Sequence, residues 1–162
     1  MGRTLVTALL FVLLVALPVQ AASHAGSRTI TIRLISTGYE GQTLVDQAPK
    51  HVVSKGDVIV ATSFLRNAVA QFGRAKGSVV GGDSATFTVL TSTHADVRVE
   101  MSLPGGTLRA GGRVRLGAVQ TYAVTGGTGR FVHARGTGES RALASKWGGG
   151  NRRMNVYRLR LP

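Results

Sequence analysis

Hydrophobic residues along this chain recur at every second position far more often than at helical spacing. Ile30, Ile32 and Leu34 alternate with Thr29, Thr31 and Arg33, and Phe87 and Val89 alternate with threonines. Val97, Val99, Met101 and Leu103 alternate with Asp96, Arg98, Glu100 and Ser102, and Tyr157, Leu159 and Leu161 with Val156, Arg158 and Arg160. A period of two sends successive side chains to opposite faces of a strand. Val58 to Leu65 is a mostly apolar, β-branched run that also suits a strand. Turn signals separate these runs: Gly38, Lys55-Gly56-Asp57, Gly81-Gly82-Asp83, Pro104-Gly105-Gly106, Gly111-Gly112, Gly126-Gly127-Thr128-Gly129 and Gly148-Gly149-Gly150. The spacing gives about eight or nine strands and predicts an all-β antiparallel sandwich or barrel. Two chemically different faces, and glycines inside strand-like runs at Gly136 and Gly138, favour the barrel. Gly41 to Ser54 shows no clean period and reads as a long loop, and Asn67 to Gly77 either continues a strand or bends through Gly73.

The start of the chain follows a different pattern. Arg3 is the one charge in Met1 to Thr7, Ala8 to Leu17 is unbroken apolar sequence, and Pro18-Val19-Gln20-Ala21 supplies a breaker and small residues. That is the layout of a cleaved secretory signal. The apolar run falls short of the roughly 20 residues that a bilayer core requires. The expected organisation is a signal over 1–21, a flexible leader over 22–27 and one domain over 28–162, in a secreted, extracellular protein without a transmembrane segment after processing.

Composition narrows the chemistry. The 162 residues carry 20 Lys plus Arg against 7 Asp plus Glu, a net charge of +13, and removal of Arg3 with the signal leaves 13 − 1 = +12. With 43% hydrophobic residues the chain can fill a core, so wholesale disorder is excluded. The absence of cysteine excludes disulfides, thiol catalysis and cysteine-built zinc or iron–sulfur sites. His24, His51, His94 and His133 show no i,i+4 or H-x-H spacing, so no metal site is expected. Gly-x-Ser-x-Gly is absent, and hydrolase chemistry has no local motif.

The run Ala123 to Phe131 invites comparison with a phosphate-binding loop, because clustered glycines after a short strand can present an anion to a helix N-terminus. Its context does not fit. Phe131 to Ser140 is rich in Gly, Thr and Arg rather than helix-forming, and the Gly-Lys-Ser/Thr ending is missing. Instead, Gly126-Gly-Thr-Gly-Arg-Phe-Val-His-Ala-Arg-Gly136 resembles the GGTG-x-F-x-x-A-R-G signature of dirigent proteins and the related allene oxide cyclase barrel group. Gly56-Asp-Val-Ile-Val60, Leu103-Pro-Gly-Gly-Thr-Leu108 followed by Gly112, and Asn155-Val-Tyr157 fall in the order that family shows.

The resemblance implies an eight-stranded antiparallel β-barrel, often a homotrimer, that holds a small hydrophobic or phenolic ligand. It implies an isomerase-like or stereo-directing role without a cofactor, in which preorganising a reactive substrate lowers the barrier. Arg135 matches the family arginine and either polarises a substrate oxygen from inside the barrel or fixes the sheet. Tyr122 and Tyr157 offer aromatic wall and a hydroxyl for ligand binding, or core packing. Glu100 and Glu139 are candidate acids or bases if a dry interior raises their pKa, or members of a solvated face. The opening stretch Thr29 to Ser36, where dirigent proteins place an acid, contains none.

The arginine surplus supports a second reading. Arg109, Arg113, Arg115, Arg130, Arg135 and Arg141, followed by Arg152, Arg153, Arg158 and Arg160, provide enough positive charge to attract an anionic polymer. Few aromatics interleave with them, so specific nucleic-acid recognition is not expected.

Overall fold

The structure, a computed structural model, describes residues 26–50, 52–117, 119–144 and 152–162. The expected signal, most of the leader, His24, His51 and the Gly148 to Gly150 turn lie outside the described residues. Eight strands follow in order: β1 (Arg28–Val45), β2 (Val58–Asn67), β3 (Val79–Thr91), β4 (His94–Leu103), β5 (Gly106–Arg115), β6 (Val119–Gly127), β7 (Arg135–Ala142) and β8 (Arg153–Leu161). Each pairs antiparallel with its sequence neighbour, and β8 returns to β1 to close the barrel. The fold is thus the all-β, eight-stranded antiparallel barrel that the alternation and the resemblance predict.

Alternation decides what the barrel contains. One set of alternate side chains points inward, with Leu34, Leu65, Met101, Leu108, Tyr157 and Leu159 among those almost entirely buried. The end of the barrel where β1 starts and β8 finishes is packed solid. A 3-10 turn, Gly129–Phe131, tucks beneath it and drives Phe131 into the core. Backbone bonds from Thr128 N to Thr107 O (2.8 Å) and Arg130 N to Gly105 O (2.8 Å) hold that turn in place. A Cβ on Gly127 would sit 2.0 Å from Thr107 O, and one on Gly129 would sit 2.2 Å from Gly105 O. The GGTG run therefore closes one end of the barrel, because only glycine tolerates that backbone approach. Arg130 lies over the rings of Phe72 and Phe131, with its guanidinium carbon 5.8 and 5.5 Å from their centroids.

Two segments differ from the sequence expectation or resolve it. Gly41 to Val45, expected in a loop, extends β1 and pairs with Ala61 to Val58 of β2. All five of its residues are exposed, so neither face is buried and no period of two marks the strand. The connection that follows is pinned by Asp57, whose carboxylate accepts the N–H groups of Gln47 (2.7 Å) and Ser54 (2.8 Å). These backbone donors hold its carboxyl below the ordinary range. At the other end, residues 68–77 bend beneath the barrel, and the Asn67 side-chain amide donates to Gln71 O (2.8 Å) and Arg74 O (3.0 Å).

Gly138 makes room for the Tyr157 ring. A Cβ there would lie 2.4 Å from Cε1 of the buried Tyr157 ring, which crosses β7 at this point. Gly138→Ala is expected to push the ring aside and cost roughly 1–3 kcal/mol in urea unfolding, with a changed near-ultraviolet tyrosine signal. An alanine variant with unaltered stability and spectrum would contradict this packing.

Candidate ligand site inside the barrel

Above the packed end the interior turns polar. Ser36 of β1, Ser63 of β2, Asp83 of β3, Tyr122 of β6, Ser140 of β7, and Asn155 and Tyr157 of β8 surround a cavity of about 40 Å³, which has room for about one water. Asp83 is its centre. Ser63 donates to one carboxylate oxygen (2.6 Å) and Ser36 to the other (3.3 Å), and the Asn155 amide donates to Ser36 Oγ (2.7 Å). Burial raises the Asp83 pKa above its ordinary 3.8, and the serine hydrogen bonds only partly offset that effect. Burial likewise pushes the Tyr157 phenol above 10.0, with Tyr122 and Asp83 adding to the shift. Tyr157 is therefore a neutral phenol at any physiological pH.

Directly over this floor, at the end where β2 starts and β3 finishes, lies a chamber of about 230 Å³. Its lining continues the same inward rows: Ile59 precedes Ala61 and Ser63, Phe87 follows Ala85 and Asp83, Gln120 precedes Tyr122, and Arg153 precedes Asn155. Val53, Val89 and Leu116 complete the wall. Two polar groups face this otherwise apolar space. Gln120 Oε1 accepts from the Tyr122 hydroxyl (2.6 Å), and Arg153 donates through Nε to Ser140 Oγ (2.7 Å) and through Nη2 to Ser140 O (3.0 Å). The arrangement presents a cation and an amide to a small apolar guest, above a carboxyl that retains its proton to higher pH than usual.

The sequence-predicted residues divide between the two faces of the wall. Tyr122 and Tyr157 lie inside and adjoin the same small cavity. Arg135 is exposed on the outer face, with Nη1 donating to Thr125 O (2.8 Å) and Ala134 O (2.9 Å), so it secures the 3-10 turn between β6 and β7. Glu100 is also outside and bonds Arg109 (2.7 Å) in a broad groove of about 870 Å³ over β3 to β6. Glu139 pairs with Arg141 (2.8 Å). A cavity acid or a cavity arginine is thus supplied by other residues, Asp83 and Arg153. Asp83 sits in a Gly-Gly-Asp turn signal and Arg153 in an arginine-rich tail, and neither position stands out by spacing. The outer groove is the larger concavity; its Glu100 bonds Arg109 and its Asp96 lies 3.8 Å from Arg113, while Arg98 adds a further cation to its lining.

The geometry is that of a closed eight-stranded antiparallel barrel with a small polar-floored chamber at one end, and known proteins share that fold. The dirigent-like protein family matches over residues 35–158, and the chain belongs to that family. No curated protein matches in sequence. Among solved structures, the pterocarpan synthase dirigent protein GePTS1 aligns over 84% of this chain and 86% of its own, with a TM-score of 0.67 and 15% identity. Pyocyanin demethylase aligns over 82% and 100%, with a TM-score of 0.61 and 19% identity. The Diels–Alderase AbmU from Streptomyces koyangensis aligns over 87% and 72%, with a TM-score of 0.65 and 17% identity.

The Asp83 shift has a definite sign. The folded protein holds this proton more tightly than the unfolded chain, so the Asp83 contribution is most favourable at low pH and declines as pH rises through the raised native pKa. Asp57 acts in the opposite sense, its stabilisation being lost as pH falls through a native value below the ordinary one. Urea unfolding from roughly pH 4 to 7 should show a decline in the parent protein that Asp83→Asn removes. Equal slopes in the two proteins would show that Asp83 is not a buried acid.

Proposed function

We propose that this protein is a secreted, dirigent-like barrel that binds a small hydrophobic or phenolic ligand in the chamber above Asp83 and directs its isomerisation, cyclisation or coupling by holding one conformation. The observation that carries the reading is the chamber itself: an apolar ring of Ile59, Phe87, Val89 and Leu116 with Arg153 and Gln120 at its edge. Its volume of about 230 Å³ lies below the roughly 300–1,000 Å³ of drug-sized sites, which favours a guest with a single ring. Arg153 takes a phenolate or carboxylate oxygen, and Phe87 packs against the ring. Asp83, whose carboxyl keeps its proton to higher pH than usual, lies beside the water-sized cavity beneath, and Tyr157 remains a neutral hydroxyl. Such a site requires no covalent intermediate, since restricting the conformation of a reactive guest removes much of the entropic barrier. A pterocarpan synthase dirigent protein and a Diels–Alderase share the fold, and the extracellular setting rests on the signal-like start of the chain.

Native mass spectrometry with a panel of one-ring phenolic acids and long-chain fatty acids tests this reading and reads subunit number at the same time. Phenolic acids are expected to bind one per chain and fatty acids to be excluded. Arg153→Gln should weaken binding about tenfold or more, the size expected when a charge-assisted hydrogen bond is lost. Phenolic binding that is indifferent to Arg153, or no binding by any member of the panel, would overturn the proposal.

A further inference from the structure

The strand register sorts the arginines that the sequence left as a general surplus. Outward positions of β7, β8 and β1 form rows across the sheet: Arg135, Arg160 and Thr29; then Thr137, Arg158 and Thr31; then Glu139, Val156 and Arg33; then Arg141, Met154 and Ile35, with Arg66 of β2 beside Ile35. These four rows hold six arginines and one acid, 6 − 1 = +5. The opposite wall has rows Gly82, Ser102 and Thr107; Ser84, Glu100 and Arg109; Thr86, Arg98 and Gly111; Thr88, Asp96 and Arg113; and Thr91, His94 and Arg115. Its balance is four arginines against two acids, 4 − 2 = +2. The positive field is therefore concentrated on one side of the barrel.

The pairing of these groups differs as well. On the opposite wall Glu100 bonds Arg109 and Asp96 approaches Arg113, whereas on the basic wall Glu139 meets Arg141 alone. The guanidinium groups of Arg33, Arg158 and Arg160 have no hydrogen bond or ion pair among the described residues, and Arg135 and Arg66 donate to backbone carbonyls that cancel no charge. Arg135 stands directly opposite Arg160, a cross-strand like-charge contact that costs stability. An external anion bridging the two would relieve that cost.

The geometry points to a binding surface for a linear anionic polysaccharide along this wall, with Arg158, Arg160 and Arg33 as its principal contacts and Arg135 alongside. Successive outward residues of β8 stand about 6.7 Å apart and neighbouring strands about 4.8 Å apart, so the cations form a regular array on the curved wall that fits repeated sulfate or carboxylate groups. Thr29, Thr31 and Thr137 flank them with exposed hydroxyls suited to sugar hydroxyls. The four rows carry no aromatic ring on which a base would stack, the exposed Phe64 lying one outward position along β2 from Arg66. Their apolar members, Met154, Val156 and Ile35, are half-buried, which leaves little within the rows for a membrane to take up. This surface lies outside the barrel and is independent of the chamber reading.

The test uses fluorescent heparin as the probe, with a 20-base-pair DNA duplex and phosphatidylglycerol vesicles as alternatives. The triple variant Arg33→Gln, Arg158→Gln, Arg160→Gln is compared with Arg98→Gln, Arg109→Gln, Arg113→Gln, which removes the same charge from the opposite wall. Melting curves verify that both fold. Heparin binding is expected to weaken at least tenfold in the first variant and less than threefold in the second. The slope of log K against log salt should flatten by about two in the first variant alone, as counterion release predicts. Equal losses in both variants would reduce the effect to net charge and overturn the proposal, as would no heparin binding by the parent protein at low salt. Tighter binding of DNA or vesicles that depends on the same wall would overturn the polysaccharide assignment.

Discussion

The hydrogen bonds around the Asp83 carboxylate tie the architecture together. Ser63 and Ser36 reach it from β2 and β1, and Asn155 reaches Ser36 from β8, so one buried acid links three consecutive strands to the strand that closes the barrel. The Asn155 to Ser36 contact joins residues 119 apart in sequence across the seam between β1 and β8. An acid at this depth is costly unless its oxygens are satisfied, and serines and an amide on neighbouring strands supply the donors. The same belt divides the interior: aliphatic side chains and Phe131 fill one end, and the polar rows leave space at the other. The water-sized cavity and the chamber both lie at and beyond that belt, on the polar side of the aliphatic core.

That division separates stability from function. The packed end, with its glycine-bounded 3-10 turn, is filled by aliphatic side chains and Phe131 and serves to seal the barrel, and the amide nitrogen of its buried Asn67 is spent on carbonyls of the 68–77 bend. The open end has an apolar ring, one guanidinium and one carboxamide over the belt, the composition expected of a small-ligand site. Arg135 shows how a signature residue can contribute without touching a guest: it binds the carbonyls of Thr125 and Ala134 and so anchors the closing turn. The outer wall around it repeats the separation in charge, with six arginines against one acid on one side and four arginines against two acids on the other.

The fold was legible where burial imposes a period. β4 reads cleanly because Ala95 to Leu103 alternates with Asp, Arg, Glu and Ser throughout, and the ends of β1 and β8 read in the same way. β5 and β7 carry three and two glycines respectively and too few apolar residues to show a pattern, so their strand character follows from pairing with neighbours. The interior tyrosines could be read from alternation and family resemblance. Asp83 could not, because a residue in a Gly-Gly-Asp run looks like a turn until register places it opposite Ser63 and Met101. Glu100 and Glu139 looked equally eligible as interior acids because period two fixes two faces without saying which one is inside. Arg153 was hidden in a tail of arginines that only the closure of β8 against β1 and β7 could sort into one inward and several outward positions.

The central claim is that a small aromatic anion occupies the chamber above Asp83 and nowhere else on the barrel. A backbone-amide NMR titration with 4-hydroxybenzoate tests it most directly. The account predicts saturable shifts confined to Ile59, Phe87, Leu116, Gln120, Arg153 and their neighbours. Shifts centred on the outer groove around Arg98, Glu100 and Gly111, or no saturable shifts at all, would contradict it.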